Sequence, residues 1–290
     1  MDLSIVIVNY NTSSLLRRCL DSIINNNQKL INANNLEIIV VDNGSIDESR
    51  EVIKKDYLQV KLMVNKTNLG FGKANNQGIN KAIGEYIFLL NTDTFVKPEA
   101  INNLLQFAKT LSIPSFVGGK LFNEDNSPQP SCGPFYDLLT VFQMLFLKGD
   151  KIGLTRNSPQ KTVETDWVSG ACLLGKKEDF EKVGLFDENI FMYMDEIDFL
   201  YRAKNKGYHA IFYPNAHFTH LGSASSAGNK EPVLNIYRGL IYFYYKHHPL
   251  WKRFFLLFML KLKALTALSI GYLTNNHYLK NTYSKAIRIS

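Results

Sequence analysis

Apolar residues arrive in short uninterrupted runs through the first third of the chain, with helix-spaced stretches between them. Residues 3–8 (Leu-Ser-Ile-Val-Ile-Val) and 36–41 (Leu-Glu-Ile-Ile-Val-Val) show little alternation. Runs of this kind predict strands buried on both faces. Thr12-Ser13-Ser14 suits the start of a helix to about residue 26, and Ser45 or Asp47 the start of a second. Residues 61–64 and 86–90 read as further strands around a helix over about 72–83. Pro98 fits the first position of a helix reaching about 111. Strand and helix in alternation predict an α/β fold with a mostly parallel, doubly wound central sheet flanked by helices.

The pattern changes twice. Residues 123–165 hold Pro128, Pro130, Pro134 and Pro159 among polar residues, around a short apolar helix at 138–147. Such a stretch is expected to cover a site as a lid. Order returns over 167–222, and from about Pro232 the chain reads as helical and rich in aromatics. The predicted organisation is a catalytic unit over 1–229 and a basic, aromatic helical C-terminal extension over 230–290. The catalytic unit divides into a nucleotide-binding half (1–120) and an acceptor and catalytic half (121–229).

Charge sharpens that division. The 290 residues carry a net +7, yet 230–290 alone carries ten Lys or Arg against Glu231, leaving the first 229 residues slightly acidic. Basic character confined to one end, with no nucleic-acid motif, argues against a nucleic-acid partner. Beside Phe, Leu and Tyr it suits an anionic membrane surface. A spanning helix needs about 20 apolar residues, and Lys261 and Lys263 interrupt the 250–273 stretch. A helix lying in the membrane interface is therefore expected. The alternative is packing on the catalytic unit or on a second copy in a homodimer. Cys19, Cys132 and Cys172 form no CxxC pair, which fits a reducing compartment. No basic stretch precedes the first strand, so no signal peptide is expected.

Candidate chemistry sits where the strands end. Asn9-Tyr10-Asn11, Asp42-Asn43-Gly44-Ser45, Asn68-Leu69-Gly70-Phe71-Gly72 and Asn91-Thr92-Asp93 follow the four predicted strands in turn. In open α/β sheets ligands bind beyond the carboxyl ends of strands. A dinucleotide fold needs GxGxxG after the first strand, and Asn9-Tyr10-Asn11 has no glycine; no GxxxxGK[ST] occurs either. Further on, Asp195-Glu196-Ile197-Asp198 opens a helix with three carboxylates. Asp195 or Asp198 can serve the helix N-terminus, and Asp198 can pair with Arg202 one turn on. Glu196 has no such structural role.

These segments, in order, resemble the family 2 glycosyltransferases, which have the GT-A fold. Trp167-Val168-Ser169-Gly170-Ala171, Phe191–Asp198 with Arg202, and His220-Leu221-Gly222-Ser223 resemble the subgroup that includes bacterial rhamnosyltransferases. The resemblance covers residues 2–225. It implies that Asp42 contacts a pyrimidine base, that Asn9 and Gly70 line the nucleoside, and that Asn75 lies on the helix beside it. It places Asn91 and Gly170 in the nucleotide-sugar site, Asp93 on a divalent metal (Mg2+ or Mn2+) and His220 as a further ligand. Glu196 matches the catalytic base, with Asp195 as the alternative. Asn91 departs from the family's DxD motif and offers a metal only a neutral carbonyl. The implied activity is inverting, metal-dependent transfer of a sugar from a nucleoside diphosphate to a glycan or lipid-linked glycan acceptor. The donor is dTDP-linked, such as rhamnose, or UDP-linked hexose or galactofuranose, and the enzyme works at the cytoplasmic membrane face in cell-surface polysaccharide assembly. A noncatalytic nucleotide-sugar-binding partner of a synthase complex is the other reading.

Overall fold

A computed structural model describes residues 1–222 and 232–290. Ser223, the last residue of the third motif, and the 229/230 domain boundary lie outside the described residues. The strands are β1 (Leu3–Asn9), β2 (Leu36–Asp42), β3 (Lys61–Val64), β4 (Tyr86–Asn91), β5 (Thr94–Val96), β6 (Ser115–Phe122), β7 (Pro128–Gln129), β8 (Cys132–Gly133), β9 (Val163–Thr165), β10 (Trp167–Val168), β11 (Cys172–Lys176) and β12 (His209–His220). The helices are α1 (Ser13–Asn26), α2 (Gln28–Asn32), α3 (Ser49–Asp56), α4 (Phe71–Lys81), α5 (Ala100–Thr110), α6 (Leu138–Phe146), α7 (Lys177–Val183), α8 (Asp195–Asn205), α9 (Pro232–His247), α10 (Leu250–Leu273) and α11 (His277–Ile289).

One large sheet runs in the order β3-β2-β1-β4-β11-β6-β12-β5. Its β3-β2-β1-β4 half is parallel, as expected. The other half is mixed, because β11 runs antiparallel between β4 and β6 while β12 is parallel to β6. Register brings Asn9 beside Asp42, and Val8 beside Asn91. The chain order reverses between β1 and β4, so a crevice opens at their carboxyl ends. One apolar core, with α1, α3 and α5, fills one side of the sheet. The other side buries α4 and α8 together with residues of α9, α10 and α11.

Local starts differ from the sequence reading. Thr12 occupies the N-cap position of α1 as expected, but its hydroxyl donates to Asn9 Oδ1 at 2.7 Å and not to the helix. Pro98 precedes α5 by two positions, and Glu99, with φ 58°, forms the helix entry. α3 begins at Ser49, whose amide donates to Asp47, whereas Ser45 belongs to the strand-end network.

Helix α10 is long and apolar enough to cross a membrane by length and composition. Its buried residues Leu256, Leu260, Ala264, Ala267 and Gly271 form one stripe. Spacing of three and four residues puts them on one face. That face packs on the protein, and Tyr237 of α9 donates to the Leu260 carbonyl at 3.1 Å.

Candidate active site

The crevice holds a cavity of about 510 Å³. Val8, Tyr10, Asn43, Asn68, Gly70 and Phe71 line the part nearest β1 and β2. Asn91, Thr92, Asp93, Gln129, Pro130, His220 and Gly222 line the cavity too, as do Ser169, Gly170, Ala171, Met192, Tyr193, Asp195 and Glu196. Asp150 and Arg156 reach it from the 123–165 stretch. The sequence reading missed both, as well as Gln129. They lie in proline-rich loops without periodicity, and only tertiary contact brings them in.

Three expected donor-site residues do not line the cavity. Asp42 is fully buried: Oδ1 accepts from Arg50 Nε at 2.7 Å and the Ser45 amide, and Oδ2 accepts from Asn9 Nδ2 at 3.0 Å. Asn9 is buried beneath it and also donates to Ser45 at 3.1 Å. Asn75 is turned back on its own helix, donating to the Phe71 carbonyl at 3.0 Å. A carboxylate held by Arg50 has no oxygen left to turn outward, so Asp42 shapes the strand ends from behind the wall. Asn43 does reach the cavity. Its Oδ1 accepts the Leu69 amide at 3.0 Å and its Nδ2 donates to the Gly70 carbonyl at 3.1 Å. Gly70 has φ +90°, and a Cβ there would lie 2.6 Å from the Phe191 carbonyl oxygen. Only glycine meets both demands at low cost.

Asp93 and His220 come together, with His220 Nε2 3.3 Å from Asp93 Oδ1. Gln129 fixes the imidazole. Its amide nitrogen donates to the Asn123 side chain at 2.8 Å and to the His220 carbonyl at 3.2 Å. That leaves Gln129 Oε1 as acceptor, 2.6 Å from His220 Nδ1. Nδ1 therefore carries the proton, and in the neutral ring the Nε2 lone pair faces the Asp93 carboxylate. In that tautomer a carboxylate oxygen and an imidazole nitrogen stand as two potential ligands for a cation. Carboxylate and imidazole at this spacing fit a divalent ion whose other positions are left to phosphate and water. Among the described residues no third His, Cys, Asp or Glu joins them.

The carboxylates at the start of α8 are presented by an unusual turn. Tyr193 and Met194 both have positive φ, 64° and 68°. Asp195 is buried and its Oδ1 has no hydrogen-bond partner. Burial, then repulsion from Glu196, holds its pKa well above the ordinary carboxylate range. Glu196 is only partly buried; burial raises its pKa too, against the pull of the Arg156 charge and the Gly170 amide. Asp198 faces away from the cavity and pairs with Arg202 at 2.8 Å, as its spacing predicted.

A family model described as Glycosyl transferase family 2 matches residues 4–184. The chain belongs to that family. A Mycobacterium tuberculosis protein named N-acetylglucosaminyl-diphospho-decaprenol L-rhamnosyltransferase is 27% identical over 252 residues, covering 81% of this chain and 80% of that protein. A low-salt glycan biosynthesis hexosyltransferase of Haloferax volcanii is 27% identical over 214 residues, 71% of this chain and 62% of that one. Among solved structures, S. aureus TarS 1-349 matches with TM-score 0.58 at 15% identity, covering 100% of this chain and 82% of that one. GalNAc-T7 with UDP, GalNAc and Mn2+ matches with TM-score 0.59 at 20% identity, covering 84% of this chain, which spans half of that one. The structural matches share the GT-A fold with this glycosyltransferase.

Proposed function

We propose that this transferase moves a sugar, with inversion, from a nucleoside diphosphate to a hydroxyl of a phosphate-linked glycan acceptor in cell-surface polysaccharide assembly. The observation that carries the reading is one cavity holding both the Asp93–His220 pair and the carboxylate of Glu196. Asp93 and His220 would hold Mg2+ or Mn2+, with the Asn91 carbonyl beside them. Bound there, a divalent ion supplies neutralisation of the charge that grows on the departing diphosphate. Asn43, Asn68 and Gly70 line the nucleoside end, and Gly170 and Ala171 the sugar. Glu196 takes the proton of the acceptor hydroxyl as its oxygen bonds to the anomeric carbon. The bond from that carbon to the diphosphate oxygen breaks, and the nucleoside diphosphate leaves with the electron pair. Attack and departure on opposite faces invert the centre, as in inverting glycoside hydrolysis. Asp195 is the weaker candidate for base: it is buried, whereas Glu196 is only partly so, and burial with repulsion from Glu196 raises its pKa.

The names of the relatives direct the substrate choice. A rhamnosyltransferase acting on a diphospho-decaprenol-linked sugar points to dTDP-rhamnose and a lipid-linked acceptor; a UDP-bound neighbour points to a UDP-hexose. A lipid-linked acceptor would be met at the cytoplasmic membrane face, with peripheral contact through 230–290.

The test is nucleoside-diphosphate release from dTDP-rhamnose, UDP-glucose and UDP-galactofuranose, with Mn2+, Mg2+ or chelator, for wild type and Glu196→Gln. One donor should be consumed, metal-dependently, with release falling roughly 10²- to 10⁴-fold in the variant while donor binding persists. The acid limb of the wild-type profile should lie above 4.5, since burial raises Glu196 from that value. Undiminished release by Glu196→Gln would remove it as base. A donor-induced thermal shift without release in any condition would favour a binding-only partner.

A further inference from the structure

Arg156 is a cation that forms no ion pair among the described residues. It lines the same cavity as Glu196, and its charge acts on that carboxylate. Its Nε is shut off from solvent with no hydrogen-bond partner, and no ion pair forms to its guanidinium among the described residues. The group lies over the Trp167 ring, Cζ 5.4 Å from the centroid. Trp167 is itself held in place: its ring is fully buried and its Nε1 donates to the Pro134 carbonyl at 2.8 Å. The nearby Asp150 is engaged by the Thr155 hydroxyl. A guanidinium nitrogen shut off from solvent without a partner is costly, and such exceptions call for a missing partner. Its planar fork of donors matches phosphate oxygens.

Position decides which phosphate. In the transferase reading, on which this inference rests, the donor diphosphate belongs at Asp93 and His220. Arg156 lies instead with Glu196, where the acceptor hydroxyl must come. Its charge acts on Glu196 without a contact that would tie up the base. We propose that Arg156 forms an acceptor subsite for a phosphate ester, holding the phosphate while the hydroxyl of the same acceptor faces Glu196. Two acceptors share this chemistry: a sugar linked through diphosphate to a lipid, and a polyol phosphate.

Chain fluorescence offers a direct readout, because Trp167 and Trp251 are the two tryptophans. In a Trp251→Phe background, Trp167 reports on the guanidinium above it. With Mn2+ and whichever of dTDP or UDP gives the larger thermal shift filling the donor site, three probes are titrated: N-acetylglucosaminyl-diphospho-farnesol, ribitol 5-phosphate and neutral octyl N-acetylglucosaminide. At least one phosphate probe should bind more tightly than the neutral one. Arg156→Gln should weaken that probe roughly 10- to 100-fold, the worth of charge-assisted hydrogen bonds, and leave the neutral probe unchanged. Arg156→Lys, which keeps the charge but not the fork, should recover part of the loss. Nucleotide affinity should move less than about twofold in either variant, far below one charge-assisted contact. Whichever phosphate probe binds tighter names the acceptor type. Equal binding of all probes, no binding of any, or a loss of nucleotide affinity in Arg156→Gln would overturn the subsite and leave the transferase reading standing. Absence of any nucleotide shift in the wild type would remove that reading and the subsite together.

Discussion

Gln129 touches neither nucleotide nor sugar in this reading, yet it decides what His220 can do. By accepting from Nδ1 it turns the Nε2 lone pair toward Asp93. Partners of this kind orient metal-binding imidazoles, and losing them costs about 10- to 100-fold in metal affinity. Gln129→Leu should therefore weaken the Mn2+ titration of nucleotide binding by that factor without changing the fold. An unchanged midpoint would mean that His220 is no ligand. This device was not readable in the chain, since Gln129 lies 91 positions from His220. Asp93 and His220 were candidates by residue type and place, Asp93 just beyond the end of β4 and His220 at the end of β12. Asp42 was legible as a polar strand end but not in orientation: Arg50, eight residues on, draws its carboxylate inward.

At the scale of elements, α9 completes the turn that presents Glu196. A Cβ on Gly239 would lie 2.8 Å from Met194 Cγ and 3.2 Å from the Tyr193 carbonyl oxygen. The helix thus presses on both residues of positive φ. From the same helix, Lys246 reaches Asp198 at 2.8 Å and Asp187 at 2.6 Å, and His247 reaches Asp198 at 2.7 Å. Burial alone would raise both aspartates, yet these partners hold each below the ordinary 3.8. A lowered folded pKa contributes stability that is present above the unfolded value and is lost as pH falls through the folded one. Lys246→Met should cost about 1–3 kcal/mol near pH 6. The gap to wild type should shrink as pH drops below 3.8, as urea unfolding between pH 2.5 and 6 would register. A gap independent of pH would mean that Lys246 contributes only packing. The helices of the extension were legible from their apolar spacing; their clamp on α8 was not, because Lys246 and Asp198 are 48 residues apart.

Across the whole molecule, the extension buries one face and leaves another apolar. Leu250, Trp251, Phe254, Phe255 and Phe258 of α10 are exposed, as are Leu139 and Phe142 of α6, a helix that packs on α10. Residues 232–290 carry basic side chains and no acid. Apolar surface ringed by positive charge suits an anionic bilayer. The protein should sediment with phosphatidylglycerol vesicles and not with phosphatidylcholine ones. Binding should weaken in high salt, and Phe254→Ser with Phe258→Ser should reduce it about tenfold, given roughly 1.5–3 kcal/mol for each buried side chain and partial insertion. Equal recovery in the supernatant with both lipids would leave that face to a protein partner.

The chain by itself determined the α/β alternation, the four parallel strands and the polar residues at their ends. Those follow from local patterning, since runs without alternation have no stable place except the middle of a covered sheet. It also determined the family, through motifs that keep their order. Tertiary structure decided the rest. It inserted β11 antiparallel and so made the sheet mixed. It turned Asn9, Asp42 and Asn75 away from the cavity, brought Gln129 and Arg156 into it, and joined α9 to the turn before Glu196. Side-chain direction and long-range pairing depend on which neighbours arrive from elsewhere in the chain, and periodicity carries no record of them.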